Sequence, residues 1–574
     1  MDLLRLLAPA AIVCLAPAAA QAASVAEWRQ SLDEIVRELR ATHPAPFTRV
    51  GELTFLQALD ALKADLPRLT EEQRVVRAMQ WIALLGDGHT SLEPTGAAFK
   101  VWYPFRLYQF TDGYFITSAH ASAADLAGAQ VLEIDGRPVA EAVDAARSLF
   151  GADNGYFRME RLYAVHNGAL MRGLGFTDKD MGLKIRARLR DGRVVTRTLL
   201  PRATDNPAYL NSDTIFEWVY RGEVYGMPFG TNADWIAAFN GRPSVEFRKP
   251  DPARPPYMTQ RFGFLSRALP EQDAYYIQLN RTDSDEMITF IAAAMAEVDR
   301  QKPRRLILDM RFNFGGDGSR VRDFVHEFVR READPPWKEL YVVTGRKNYS
   351  AAINLLGELI DHVDVSIVGE PTGVGLNSYG DPAARLYPAA GLHLYVSTVG
   401  HQLGPFSDRR DFIPVDAPAL MAFTDYGAGR DPAVDRILAG EDMRSIPQIV
   451  RSEGGAAGRR VYRDRLARYG ALGWWTAPTE LQMRRACEAL TAAGRLADAL
   501  EACALTTEMH PFVWNSWYGL AIVQEKAGQA GPRLASFRCV LQLDPTNFNG
   551  PELREAIAKS ADTALPAGCP VERP

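Results

Sequence analysis

The chain has 574 residues, of which 47% are hydrophobic, and this length suggests about three or four globular domains. Its formal net charge of −5 at pH 7 gives no long-range attraction for nucleic acid or anionic lipid, and the sequence holds no basic cluster of the kind that nucleic-acid binding needs. The sequence also holds no HExxH, CxxC or P-loop motif, so we predict neither a metal site nor a cofactor.

The first 22 residues resemble a secretory signal peptide. Arg5 precedes a mostly apolar run, and small residues follow up to Ala20-Gln21-Ala22, an A-x-A cleavage pattern. The apolar run is well below the roughly 20 residues that a membrane-spanning helix needs. We therefore predict a signal peptide over residues 1–22 and a secreted or periplasmic protein with no integral membrane segment in the mature chain; a short membrane anchor is the alternative.

Residues 23–100 have the pattern of a helical N-terminal domain. Apolar residues at helical spacing predict one helix that stops at His43-Pro44 and a second near residues 56–66. Residues 70–73 (TEEQ) form a capping box that opens a third helix, which ends at residues 86–89 (GDGH). His89 is thus placed on a loop just after a packed helix, a position suited to function.

Residues 101–204 have strand-like patterns. Residues 131–139 combine a strand, an Asp135-Gly136 turn and a new element. Residues 126–143 resemble part of a PDZ module, which takes an extended peptide onto a sheet edge; a plain β-subdomain is the alternative. Residues 205–260 are rich in aromatic side chains, which we interpret as core and loop packing, with stacking on a substrate as the alternative.

From residue 274 onward, strands alternate with helices, which predicts parallel βαβ units. We assign residues 205–440 to this α/β core. The predicted strands are residues 275–279, 306–310, 340–343 and 365–368, and the predicted helices between them are residues 287–298, 321–328 and 351–360.

The C-terminal quarter of the chain is predicted to be helical. Residues 441–475 are interpreted as a linker that is flexible around the glycine-rich residues 451–460. In residues 476–574, Pro511 and Pro545 lie 545 − 511 = 34 residues apart, a period that resembles tetratricopeptide repeats. Two copies are few, so a helix over residues 552–559 is expected to cap them. This all-α domain is predicted to bind a protein partner or the substrate.

Four of the five cysteines lie in this helical region, and the fifth lies in the signal segment. An even set in an oxidising compartment suggests disulfides. Cys487 and Cys503 flank a predicted turn almost symmetrically, so a helical hairpin would place them opposite each other as a disulfide. A second disulfide between Cys539 and Cys569 follows by elimination.

Ser350 follows the predicted strand 340–343 and precedes a predicted helix. At such a junction, backbone N–H groups and the positive end of the helix dipole are available to a developing oxyanion. Gly315 and Gly316 form a glycine turn after another buried strand. A serine, a glycine turn and a histidine such as His89 are the minimum parts of a serine hydrolase. No cysteine lies near them, which excludes thiol catalysis.

Five ordered blocks resemble the tail-specific, or C-terminal processing, serine protease family, which includes the tricorn core protease and the interphotoreceptor retinoid-binding protein. The blocks are residues 85–90 (LGDGHT), 126–139, 306–316, 344–352 (TGRKNYSAA) and 368–373 (VGEPTG). The resemblance implies a multidomain α/β fold with a helical N-terminal cap, a PDZ-like or β insert and a ClpP/crotonase-like catalytic core. It covers roughly residues 25–440, so the repeat domain lies outside it.

The resemblance implies that Ser350 is the nucleophile, but the sequence departs from part of the family at the base. The bacterial processing proteases carry a lysine about twenty-five residues after the serine, and residues 369–377 (GEPTGVGLN) contain none. Lys347 is not at that position and is expected to be a solvated loop charge. The tricorn-like branch uses an N-terminal histidine, and His89 falls at its position, with Gly88 where that branch has a serine. His89 is therefore predicted to be the general base; a structural hydrogen bond is the alternative.

The resemblance also implies an acidic residue that orients the histidine. Asp408 is preferred and Asp411 is the second choice, because both lie in the block where the family has its acidic member. Either of them could pair with a neighbouring arginine instead, and Asp87 is a local alternative.

The family resemblance points to the backbone N–H groups of Gly315, Gly316 and Ala351 as the oxyanion hole; an ordinary tight turn is the alternative. The sequence thus predicts an exported serine peptidase that hydrolyses a peptide or protein substrate through an acyl-enzyme on Ser350, with His89 as base. The alternative is a catalytically inactive protein that binds a peptide or a lipophilic ligand on the same fold, as the retinoid-binding relatives do.

Overall fold

A computed structural model describes residues 23–203, 244–246, 263–282, 285–404, 408–560 and 563–570. The predicted signal peptide and nearly all of the aromatic-rich segment 205–260 lie outside the described residues, so both interpretations remain predictions. Within the described residues, no helix is both long enough and apolar enough to cross a bilayer.

Three helices open the described chain, as the sequence predicts. They are α1 (Val25–Thr42), α2 (Glu52–Asp65) and α3 (Glu71–Ala83). Capping boxes at Ser24 and Thr70 fix where α1 and α3 begin, because each hydroxyl accepts a hydrogen bond from a first-turn N–H. Helix α1 ends at Thr42, and the next residue, His43, has an extended backbone because Pro44 follows it.

Residues 91–203 form short strands and three short helices. The strands are β1 (Ser91–Pro94), β2 (Val101–Trp102), β3 (Phe105–Phe110), β4 (Gly113–His120), β5 (Gln130–Ile134), β6 (Arg137–Pro138), β7 (Leu183–Arg188), β8 (Val194–Leu199) and β9 (Arg202–Ala203). The helices are α4 (Val139–Arg147), α5 (Gly155–Glu160) and α6 (Gly168–Gly173).

The main sheet of this region is antiparallel. Together with β10 (Ser244–Glu246), the strands run in the order β10-β4-β5-β7-β8, with β3 paired to β4 and β6 paired to β5. The predicted turn between β5 and β6 is present, and Asp135 and Gly136 have φ of 52° and 75°, the left-handed backbone that a two-residue hairpin needs. Whether this region is PDZ-like stays a prediction.

The α/β core follows the predicted alternation of strands and helices. Its strands are β11 (Phe264–Leu269), β12 (Ala274–Leu279), β13 (Arg305–Asp309), β14 (Glu339–Thr344), β15 (Ser366–Gly369), β16 (Asn377–Gly380), β17 (Ala383–Tyr387), β18 (Leu392–Val396), β19 (Val399–Gln402) and β20 (Ala417–Pro418). Its helices are α7 (Asp285–Gln301), α8 (Val321–Val329), α9 (Ala351–His362), α10 (Phe423–Ala428) and α11 (Pro432–Leu438).

Six of these strands form one sheet in the order β11-β12-β13-β14-β15-β20. Strand β11 is antiparallel to β12, and the other four pairs are parallel, as the alternation predicts. Because β13 and β14 are parallel neighbours, the loops that follow them lie at the same edge of the sheet. Those two loops carry the glycine turn and Ser350.

A second, antiparallel sheet joins the N-terminal region to the core. Strand β1, which begins two residues after His89, pairs with β18, and β18 pairs with β17. Ser91 lies opposite Tyr395 in this register. The sequence analysis did not predict this pairing, which carries the His89 loop to the core.

The segment predicted to be a flexible linker is largely helical, which corrects that interpretation. Helices α12 (Ile446–Glu453) and α13 (Gly455–Tyr469) occupy most of residues 441–475. The glycines there serve close packing rather than flexibility, because a Cβ on Gly455 would overlap the backbone N of Ala502 and one on Gly458 would overlap Val450. The predicted domain boundaries are a separate matter and stay predictions.

The C-terminal region consists of helices, as predicted. They are α14 (Glu480–Ala492), α15 (Leu496–Met509), α16 (Trp514–Lys526), α17 (Ala530–Leu543) and α18 (Gly550–Ala558). The structure pairs Cys487 with Cys503 and Cys539 with Cys569, at Cα separations of 5.6 and 5.9 Å, as the sequence predicts. The tetratricopeptide resemblance and its partner-binding role stay predictions.

Candidate active site

Ser350 lies on a tight turn between β14 and α9. Its φ of 54° and ψ of −135° are values that favour glycine, and it is the residue directly before the first residue of α9. In α/β-hydrolases, a strained strand-to-helix turn exposes the hydroxyl of a serine in this way. A non-glycine residue kept in a sparsely populated conformation costs about 1–3 kcal/mol, and such strain is concentrated at functional sites.

This strain predicts an unusual effect on stability. We expect Ser350→Gly to raise the free energy of unfolding by about 1 kcal/mol, because relief of the strain exceeds the entropy that glycine loses on folding. Ser350→Ala keeps the Cβ and should leave the stability close to that of wild type. Urea unfolding of the three proteins measures the difference, and a glycine variant less stable than the alanine variant would contradict the strained geometry.

The glycine turn lies against Ser350. A Cβ on Gly315 would be 2.7 Å from the Cβ of Ser350, and one on Gly316 would overlap the carbonyl oxygen of Thr282, so both positions require glycine. Their φ values of 110° and 138° also favour glycine, because residues with a Cβ rarely adopt this backbone conformation. The turn is therefore packed directly on the serine loop.

The backbone N–H groups near Ser350 are not equivalent. The N–H of Gly315 donates to Oδ1 of Asn313 at 2.9 Å, so this group is occupied. Within the described residues, the N–H groups of Gly316 and Ala351 donate to no protein acceptor. Of the three N–H groups expected from the sequence, the structure occupies that of Gly315 and leaves the other two without a protein acceptor in the described part of the chain.

His89 is brought to the serine loop through a ring stack. Its imidazole lies on the ring of Tyr349, the residue before Ser350, with ring centroids 4.3 Å apart and planes 29° from parallel. The side chain is buried, and neither ring nitrogen has a hydrogen-bond partner among the described residues. Burial lowers the pKa of His89 to about 4, although the Asp87 carboxylate opposes this shift. The imidazole is therefore neutral at pH 7 and able to accept a proton.

Asp87 fixes the loop that carries His89. Its carboxylate accepts hydrogen bonds from Ser397 Oγ and Thr90 Oγ1, both at 2.6 Å, and from the backbone N–H of His89 at 2.9 Å. His43 Nε2 lies 3.2 Å from it, and because His43 Nδ1 accepts from Ala45 N–H, Nε2 carries the proton and donates. Burial alone would raise the pKa of Asp87, but the donors and the nearby imidazole of His89 hold it well below its usual range. Asp87 therefore hydrogen-bonds to the backbone N–H of His89, while the His89 ring nitrogens have no hydrogen bond to Asp87.

The structure does not bring Asp408 to His89. The Asp408 carboxylate accepts from the guanidinium of Arg410 at 2.6 and 2.9 Å and from the Arg410 backbone N–H. Asp408 thus pairs with a neighbouring arginine, the alternative that the sequence left open. Pairing with a residue two positions away orders only a short stretch of chain and so costs little conformational entropy. The backbone carbonyl of Asp411 accepts a hydrogen bond from Asn154 at 2.6 Å, which ties the Asp411 loop to the β-rich region.

Lys347 is buried, which corrects the expectation of a solvated loop charge. Its exposure is 6%, and burial lowers the pKa of its ammonium to about 8. The neighbouring Arg346 is also buried and donates to Glu160 at 2.6 Å and to the carbonyl of Gln109 at 2.8 Å. The serine loop is therefore covered by the β-rich region, which local sequence patterns do not reveal.

A second imidazole that the sequence analysis missed lies near His89. His401 Nε2 is 3.2 Å from the Asp381 carboxylate. A Cβ on Gly380 would be 3.0 Å from His401 Nε2 and 3.8 Å from His89 Cε1, so both rings flank the same glycine. The register of β16 with β19 produces this proximity, since Gly380 and His401 lie on paired strands.

Comparison with known structures identifies the fold. No protein-family model and no curated protein sequence matches the chain. A serine-to-alanine mutant of CPAF matches with a TM-score of 0.52 at 11% identity, over 75% of this chain and 98% of CPAF. The chain has the fold of the tail-specific proteases.

Other solved structures of the tail-specific proteases also match. The C-terminal processing protease of the photosystem II D1 protein has 13% identity and a TM-score of 0.30, over 68% of this chain and 92% of that one. The tricorn protease has 12% identity and a TM-score of 0.32, over 72% of this chain and 36% of tricorn.

Proposed function

We propose that the protein is a serine peptidase in which Ser350 is the nucleophile and His89 the general base. The observation that carries this proposal is the stack of the His89 imidazole on Tyr349, the residue directly before the strained Ser350. Among the described residues the neutral imidazole has no hydrogen-bond partner. A serine hydroxyl is a weak nucleophile until a base takes its proton, and neutral imidazole is suited to that task.

The proposed reaction has two steps. Ser350 Oγ attacks the carbonyl carbon of a peptide bond while His89 takes the hydroxyl proton, and the N–H groups of Gly316 and Ala351 donate to the oxyanion. His89 then gives the proton to the leaving amine, which leaves an ester on Ser350. Water attacks this ester with His89 again as base, which releases the acid and restores the serine.

Three further parts of the proposal come from the sequence. Export to the periplasm or the cell exterior fits the signal-like residues 1–22 and the two disulfides. A polypeptide is the substrate class that we expect, in line with the protease fold. We further infer that the C-terminal helices bind a protein partner or the substrate.

A fluorophosphonate probe tests the proposal, because it reacts with activated serines and needs no known substrate. We expect the wild-type protein to be labelled, and peptide mapping to place the adduct on Ser350. Well-folded protein that stays unlabelled would contradict the peptidase and favour the alternative, a ligand-binding protein on this fold.

A further inference from the structure

We propose that Asp153 is a positioning residue that ties the His89 loop to the Ser350 loop. This inference rests on the proposed function. It adds the group that holds the base and the nucleophile at a fixed separation. Asp153 lies in neither loop; it precedes α5, whose first turn is capped by Asn154. The sequence motifs gave no sign of it.

One carboxylate oxygen of Asp153 receives hydrogen bonds from both loops. Its Oδ2 accepts from the backbone N–H of Gly88 at 3.1 Å and from the hydroxyl of Tyr349 at 2.9 Å. Gly88 directly precedes His89, and Tyr349 directly precedes Ser350. The Asp153 carboxylate is buried, so both hydrogen bonds are shielded from water. A shift of either loop therefore breaks a hydrogen bond to the same atom.

Four side chains form a continuous stack beside this carboxylate. The guanidinium of Arg161 lies 4.3 Å from the centroid of the Phe157 ring, and Phe157 lies parallel to Tyr349 at 3.9 Å. The Tyr349 ring also stacks with the imidazole of His89, with ring centroids 4.3 Å apart. The hydrogen bond from Tyr349 to Asp153 thus fixes the ring on which the proposed base rests.

Residues 153–161 hold Gly88 at both of its backbone polar groups. Asp153 accepts from its N–H, and Arg161 donates to its carbonyl oxygen at 2.8 Å. The space is closed, because a Cβ on Gly88 would overlap the Tyr349 hydroxyl and lie 2.7 Å from Phe157. This explains why glycine stands where the tricorn-like branch has a serine.

Among the described residues, charged or titratable groups on different loops face Asp153. Asp87 follows α3, Arg49 lies between α1 and α2 with Nη2 3.6 Å from Asp153 Oδ1, and Tyr349 precedes α9. Burial, followed by the negative charge of Asp87, raises the pKa of Asp153 to about 7, while Arg49 and the hydrogen bonds oppose the shift. The carboxylate is therefore ionised above pH 7 and becomes neutral as the pH falls through 7.

Asp153→Asn tests the proposal through the rate of fluorophosphonate labelling as a function of pH. At pH 8.5 we expect labelling about 10²-fold slower than in wild type, the cost of a misplacement of about 1 Å between reacting groups. The ratio of the two rates should shrink as the pH falls through 7, because protonated Asp153 resembles asparagine. A purely structural defect would give the same ratio at every pH.

Two variants accompany this measurement. Asp416→Asn is the matched control, because the Asp416 carboxylate also has a raised pKa and accepts a backbone N–H, that of Ile367. Within the described residues, its side chain has no hydrogen bond to either loop. This variant should label at the wild-type rate. Tyr349→Phe removes one of the two donors and keeps the ring stack, and should label about tenfold more slowly at pH 8.5, the rate equivalent of one hydrogen bond. If Asp153→Asn does not fold, the labelling rate of Tyr349→Phe tests the positioning role instead.

The outcomes separate this proposal from the proposed function. Equal labelling of folded Asp153→Asn and wild type, a rate ratio that does not change with pH, or a fully reactive Tyr349→Phe would overturn the positioning role alone. Folded wild-type protein without any labelling would overturn the peptidase. In that case hydrogen–deuterium exchange of residues 84–92 still tests whether Asp153 holds the His89 loop. The Gly88 amide should exchange faster in Asp153→Asn than in wild type, and unchanged exchange would refute the positioning role.

Discussion

Replacing Ser350 with alanine is expected to abolish fluorophosphonate labelling and to lower peptide hydrolysis on the order of 10⁶-fold, as loss of the nucleophile does in a serine protease. The reason is chemical: without Oγ no acyl-enzyme forms, and the remaining oxyanion donors give only residual rate enhancement. Hydrolysis of a fluorescently labelled, unfolded protein such as casein measures the loss, with thermal unfolding as the check on folding.

Ser319→Ala is the matched control for this variant. Ser319 is an exposed serine on the loop after the glycine turn, and its backbone N–H donates to Asp317. We expect its hydrolysis rate to equal that of wild type. If Ser350→Ala retains more than a small fraction of the activity while Ser319→Ala is normal, the nucleophile is a different residue.

Replacing His89 with alanine should lower both labelling and hydrolysis by about 10²–10⁴-fold, the usual contribution of a general base. Burial holds the His89 pKa at about 4, so the neutral base persists far below pH 7. The wild-type rate should therefore show an acidic limb near pH 4, in addition to the change near pH 7 assigned to Asp153. The His89→Ala variant should lack the limb near pH 4.

His362→Ala is a suitable control for the His89 variant. His362 lies on the far end of α9, where its Nε2 is 3.3 Å from Glu358, and its side chain is more than half exposed. Its loss should not change the rate. A His89→Ala variant that reacts as fast as wild type would exclude this imidazole as the base and direct attention to Lys347 or His401.

The local features of the fold were predictable because their signals lie within short stretches of sequence. The capping box at Thr70 and the proline after His43 set helix ends through contacts over a few residues. The alternation of strands and helices from residue 274 predicted the parallel sheet, and this sheet places the glycine turn beside Ser350. The sequence thus indicated both loops of the candidate site.

The features that the sequence did not predict depend on long-range contacts. Tyr349 and Asp153 are 196 residues apart, and α5 has only six residues, too few for a periodic pattern to mark its buried face. Lys347 stands in a polar loop segment of the sequence, and its burial comes from residues that are distant along the chain. The family block predicts Asp408 as the acidic partner, but the guanidinium of Arg410, two residues away, pairs with its carboxylate.

The most direct test of the central claim is a crystal structure of the protein with a phosphonate bonded to Ser350 Oγ. The account predicts that a ring nitrogen of His89 lies within about 2.6–3.2 Å of that oxygen, hydrogen-bond range for proton transfer. It also predicts that the phosphonyl oxygen accepts hydrogen bonds from Gly316 and Ala351. An adduct on Ser350 whose oxygen is contacted by another basic side chain, with His89 remaining distant, would contradict the account.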